Sequence, residues 1–99
     1  MKSIIQNKKK CFICSKQYFL HEHHIFFGTG KRNISEKNGF KVWLCVDHHT
    51  GEHGVHSKRG HELDLFLKRE CQRKFEETHS RNDFIKLIGR NYREEDSNE

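Results

Sequence analysis

In the segment "FKVWLCV", Phe40, Val42 and Leu44 alternate with Lys41, Trp43 and Cys45. Successive side chains of an extended chain point to opposite faces, so this alternation predicts a half-buried strand. Residues 17–27, rich in Tyr, Phe and Ile, predict an earlier and mostly strand-forming stretch. Between the two, the glycine-bounded turn "GTGKRN" leads into "ISEKNG", which reads as one helical turn or a loop closed by Gly39. Further on the period changes. Leu63, Leu67, Cys71 and Phe75 recur every four positions and are joined by Phe66, which predicts one buried stripe on a helix from about 61 to 77. Ser80 followed by Asp83 resembles a capping box, and Phe84, Leu87 and Ile88 supply the apolar side of a second, shorter helix. The segment "DHHTGEHGVHSKRG" holds three glycines, so a helix starting near Asp47 should be short or irregular. The expected fold class is α+β.

Composition narrows this picture. A chain of 99 residues with no proline and no internal repeat is most economically one domain. Its parts would be a basic arm (1–10), a core (11–60), C-terminal helices (61–93) and an acidic tail (94–99). Apolar residues make up 32% and charged residues 33%, so the core is thin and calls for a staple such as a bound metal or a partner subunit. No apolar run approaches the roughly 20 residues of a membrane helix, and the apolar part of "MKSIIQNKKKC" is too short for a signal peptide. The expectation is a cytoplasmic protein with no membrane partner. The formal charge is +5, but the acidic tail masks part of it. Residues 1–93 carry 19 basic against 10 acidic side chains, or +9. Such a body suits a polyanion, although a solvated basic face would account for charge alone.

Seven of the nine histidines fall between His21 and His56, and the four cysteines stand at 11, 14, 45 and 71. In a reducing compartment a C-x2-C pair is a metal knuckle rather than a disulfide. Cys11-x2-Cys14 and Cys45-x2-His48 form two such knuckles about thirty residues apart, enough for one closed, structural Zn²⁺ site of Cys3His type. Cys71 lies on the helical stripe and reads as a core thiol. This leaves His23, His24, His49, His53 and His56 without a role. An adjacent His pair late in one strand and another His at the start of a helix could assemble a second, open metal site.

The pieces "C-x2-C", "HHI", "WLC" and "C-x2-HH", in that order over residues 11–56, resemble the HNH endonucleases, the ββα-metal or His-Me finger nucleases, in their zinc-bearing treble-clef form. Size, charge and histidine content are most similar to the small HNH nucleases of phages and prophages, some of them associated with recombination. The resemblance implies a zinc-supported treble clef with a ββα-metal core, acting on DNA in the bacterial host cytoplasm. It implies His24 as general base, with His23 and His49 holding a catalytic Mg²⁺ or Mn²⁺. His53, four residues beyond His49, and His56, if the backbone turns at Gly54, are further candidate ligands. The second knuckle is Cys-His where the family has Cys-Cys, so His48 and His49 can exchange roles. The family's middle Asn has no counterpart at its usual place before Cys45, and the orientation of His24 is left unassigned.

Neighbours in a regular strand face opposite ways, so His23 and His24 can address one phosphate only across a bulge or at a strand end; a local distortion is expected there, and a regular strand through both would count against catalysis. Lys31 and Arg32 at the turn, with Lys58 and Arg59 after the histidine loop, are the candidate phosphate contacts. The C-terminal helices could pair two copies into a homodimer. A zinc module that grips nucleic acid without cutting is the alternative reading.

Overall fold

The computed structural model describes residues 2–93; Met1 and the acidic stretch 94–99 lie outside the described residues. Two antiparallel strands, β1 (Leu20–His24) and β2 (Lys41–Cys45), flank helix α1 (Lys31–Asn38). After β2 come a single turn of helix, α2 (Val46–His49), a glycine-rich loop ending in a 3-10 turn (Lys58–Gly60), α3 (His61–Phe75) and α4 (Arg81–Ile88). The result is a small α+β domain built on a two-stranded sheet.

β2 lies where its alternation predicted. Phe40, Val42 and Leu44 are fully buried, but Lys41 and Cys45 on the other face are buried too, so both faces are covered. The N-terminal arm explains part of that cover. Ile4 donates its N–H to the Gly39 carbonyl, Ser3 Oγ donates to the Lys41 carbonyl, and the Gln6 side-chain oxygen accepts from the Trp43 N–H. The basic arm is therefore bonded along the edge of β2, where it satisfies backbone groups a two-stranded sheet would leave open.

β1 is shorter than the stretch predicted over 17–27. Phe19 sits at φ 53°, a left-handed conformation that ends an extended run on its N-terminal side. Past His24 only Ile25 continues the pairing, through its N–H to the Phe40 carbonyl at 2.9 Å. The glycine-bounded turn and the segment read as one helical turn or a loop form the eight-residue α1, which starts earlier than the helical option and is framed by left-handed Gly30 and Gly39. It is pinned from inside: buried Ser35 Oγ donates to the Phe26 carbonyl (2.7 Å) and accepts the Phe26 N–H (3.0 Å).

Leu67, Cys71 and Phe75 of α3 pack with Phe26, Phe40 and Phe84 in the core. The ring centroids of Phe40 lie 5.8, 5.7 and 6.3 Å from those of Phe26, Phe75 and Phe84. Phe66, assigned to this stripe, is 45% exposed; buried Gln72 is the residue that joins it. Gln72 bonds Glu76, Asn91 and the Tyr92 N–H, each at 2.8 Å, tying the C-terminal segment to α3. α4 begins as its sequence predicted, with Ser80 Oγ accepting the Asp83 N–H at 3.0 Å. Among the described residues no helix is long and apolar enough to cross a membrane.

Candidate metal centres and the cleft between them

The first cysteine pair stands on a tight turn in which Ser15 donates to the Cys11 carbonyl (2.9 Å) and Cys11 to the Lys16 carbonyl (2.8 Å). The second pair spans the junction of β2 and α2, where extended backbone becomes helical at Cys45. The ligand atoms of Cys11, Cys14, Cys45 and His48 all lie within 4.8 Å of one another. Cys14 Sγ is 3.7 Å from Cys45 Sγ, and His48 Nδ1 is 3.3 Å from Cys45 Sγ and 3.7 Å from Cys11 Sγ.

Around an ion with Zn–S near 2.3 Å and Zn–N near 2.0–2.1 Å, tetrahedral geometry separates two thiolates by about 3.8 Å and a thiolate from an imidazole nitrogen by about 3.6 Å. The spacing therefore matches a zinc cage and is far too long for a disulfide, whose sulfurs lie about 2.05 Å apart. Burial raises the Cys11 thiol, but backbone N–H groups of Cys45, Cys14 and Ile13 aimed at its sulfur outweigh burial and lower its pKa. Such bonds favour the thiolate a metal requires. This Cys3His group could bind zinc, and His48, not His49, belongs to it. Cys71 stands apart, fully buried on α3, where burial alone pushes its thiol far up.

The second group comes from three elements. His23 of β1, His49 of α2 and His56 of the glycine-rich loop bring their ligand nitrogens within 4.8 Å of one another. Ring centroids are 5.3 Å apart for His23 with His49, 5.3 Å for His23 with His56 and 4.9 Å for His49 with His56. The loop reaches the site because it folds tightly onto α2. Val55 donates to the His48 carbonyl (3.0 Å) and His56 to the His49 carbonyl (3.3 Å), satisfying the open end of that helix. Close backbone approach demands glycine: a Cβ at Gly60 would stand 1.8 Å from the Gly54 carbonyl oxygen, and one at Gly54 2.6 Å from the His49 carbonyl group. α2 ends at His49, so the helical face that would have carried His53 to the site does not exist; His53 is exposed and outside the group.

Burial, and after it the charges of His49 and His56, pushes the His23 imidazole down to about 3. Burial, then His56 and His21, takes His49 down to about 4. Both rings are therefore neutral at neutral pH, with lone pairs free for a metal. His23 Nε2 is buried and has no hydrogen-bond partner in the protein, as a ligand atom would be. His21, to which the sequence assigned no role, places its Nδ1 2.8 Å from His49 Nδ1. The strand period could have found it, because His21 and His23 share a face of β1.

The predicted distortion at His23–His24 is absent. The ladder is regular through His23 opposite Val42 and His24 opposite Lys41, so no bulge turns the two side chains the same way; His24 is, however, the last residue of β1, the strand end that is the other route by which both can face one phosphate. One cleft of about 170 Å³ nevertheless borders both, lined by Glu22, His23, His24, Phe27, Arg32, His49 and His56. His24 Nε2 is 2.8 Å from Glu36 Oε1.

Of the candidate phosphate contacts, Arg32 is in the cleft wall, whereas Lys31 opens α1 and donates its ammonium to the Ile88 carbonyl at the end of α4. Arg59 pairs with Glu52 at 3.4 Å on the surface, and Lys58 is exposed beside it. No protein-family model, curated protein or solved structure matches this chain.

Proposed function

We propose that the protein is a metal-dependent DNA endonuclease of the HNH type, on a zinc-supported treble clef with a ββα-metal core. The observation that carries this reading is the convergence of His23, His49 and His56 at a cleft that His24 and Arg32 also border. A structural zinc module needs only the Cys3His cage; three further imidazoles, two of them kept neutral by burial, have no place in it.

His23, His49 and His56 would hold the divalent cation, Mg²⁺ or Mn²⁺, and Cys11, Cys14, Cys45 and His48 the structural Zn²⁺. The cation, when bound, neutralises charge gathering on the phosphoryl and leaving oxygens. His24 takes the proton of a water whose oxygen bonds to phosphorus as the P–O3′ bond breaks, and the departing 3′ oxygen is protonated by solvent. Arg32, whose guanidinium makes no hydrogen bond or ion pair among the described residues, is available to a non-bridging phosphate oxygen.

The test is nicking of supercoiled plasmid by zinc-loaded protein with and without added Mg²⁺ or Mn²⁺, comparing wild type with His24→Ala. Ion-dependent nicking that the folded variant lacks supports the proposal. Protein that binds DNA and holds one zinc, yet cuts neither plasmid, single strands nor branched DNA, is a binding module instead.

A further inference from the structure

The resemblance leaves His24 without an orienting partner, and the structure offers one on the helix that the sequence pattern left undecided. We infer that Glu36 is the positioning residue of His24, fixing which ring nitrogen carries the proton; this rests on the reading of His24 as general base.

An ionised carboxylate can only accept, so across the 2.8 Å contact His24 Nε2 carries the hydrogen and donates to Glu36 Oε1. In the neutral ring the lone pair is then confined to Nδ1, the ring nitrogen that Glu36 does not engage, on a side chain that borders the cleft. Glu36 is itself held from two directions. Its second oxygen accepts from Lys41 Nζ at 3.0 Å, and that ammonium is nearly buried, with its side chain only 5% exposed. Its chain neighbour Ser35 makes the double hydrogen bond to Phe26 that clamps α1 beside the end of β1. Hydrogen bonds from His24 and Lys41 keep the Glu36 carboxyl below its ordinary range.

The neighbouring Glu22 completes a group of three potential ligands with His24 and Glu36. Lys41 Nζ, 3.0 Å from Glu36 and 3.9 Å from Glu22, already supplies the positive charge there. The arrangement is thus an orienting network with a built-in cation and not a third metal site.

Glu36→Gln tests this sharply. A glutamine offers one acceptor and one donor group where glutamate offers two acceptors. With its oxygen retained by Lys41, its amide N–H₂ faces His24 Nε2 and drives the ring hydrogen to Nδ1. Imidazole nitrogen chemical shifts of the zinc-loaded protein, recorded above the ordinary histidine range, should report an Nε2–H tautomer for His24 in wild type and an Nδ1–H tautomer in Glu36→Gln. Nicking assays should show kcat lower by roughly 10²–10⁴-fold with KM little changed, as expected when a catalytic imidazole is held in the wrong tautomer. Affinity for Mn²⁺ should stay close to that of wild type, because Glu36 is not part of the three-histidine group.

A variant that nicks like wild type, or a His24 tautomer that is Nδ1–H from the start or unmoved by the substitution, overturns the proposal. If wild-type protein cuts no DNA, the nuclease reading fails, and the tautomer spectra by themselves decide whether Glu36 controls His24. Should Glu36→Gln lose its zinc or its fold, Glu36→Ala is read in the same way, with a mixture of tautomers expected.

Discussion

His23→Leu separates what the histidine cluster does for stability from what it does for binding. His23 is 2% exposed, and its Nε2 is buried with no partner in the protein. An unsatisfied buried polar atom costs about 1–3 kcal/mol. Leucine is close to histidine in volume and would sit among Phe27, His49 and His56, whose ring centroids lie 5.9, 5.3 and 5.3 Å from that of His23. The zinc-loaded variant, with no other divalent ion present, should therefore be more stable than wild type by about 1–3 kcal/mol. For a domain near 100 residues each kcal/mol moves Tm by about 4 °C or more. Adding Mn²⁺ should reverse the order: at a hundred times Kd a ligand that binds only the folded state contributes about 2.7 kcal/mol, and the variant has lost one of three ligands. Urea titrations with and without Mn²⁺ read both halves. A variant less stable than wild type without the ion, or one that gains as much from Mn²⁺ as wild type does, refutes the reasoning.

Three further predictions follow from other parts of the fold. Structural zinc contributes about 10–16 kcal/mol in small zinc domains, comparable to the whole stability of a domain this size. Chelating it should unfold the protein by circular dichroism and open all four thiols to alkylation, whereas in zinc-loaded protein Cys71 stays unlabelled because it is fully buried with a raised pKa. Gly60→Ala should destabilise by about 3 kcal/mol in urea and abolish Mn²⁺ binding, since its Cβ would meet the Gly54 carbonyl and displace the loop that carries His56. The Glu76 carboxyl is lowered chiefly by its hydrogen bond from Arg81, with Gln72 and the Arg93 charge adding to it. Its contribution is present above the unfolded carboxylate value of about 4.3 and is lost as pH falls through the lower folded one. Urea midpoints measured between those values should fall less steeply for Glu76→Gln than for wild type.

Local pattern was sufficient for much of this molecule. The alternation in "FKVWLCV" specified β2, the four-residue repeat of Leu63, Leu67, Cys71 and Phe75 specified α3, and Ser80 with Asp83 marked the start of α4. The two knuckle spacings located all four members of the Cys3His group, since a two-residue gap on a tight turn sets ligand geometry within one short segment. Tertiary structure alone decided the rest. α1 carries little apolar pattern and forms because Ser35 satisfies the backbone of Phe26 and because Gly30 and Gly39 close its ends. Whether His48 or His49 joins the cysteines, and whether His53 or His56 joins His23, turned on where α2 stops and on how closely three glycines let the loop fold back upon it. The pairing of His24 with Glu36 depended on α1 being held beside the end of β1. Each of these outcomes joins residues that are distant in sequence or governed by backbone packing, and neither leaves a period in the chain.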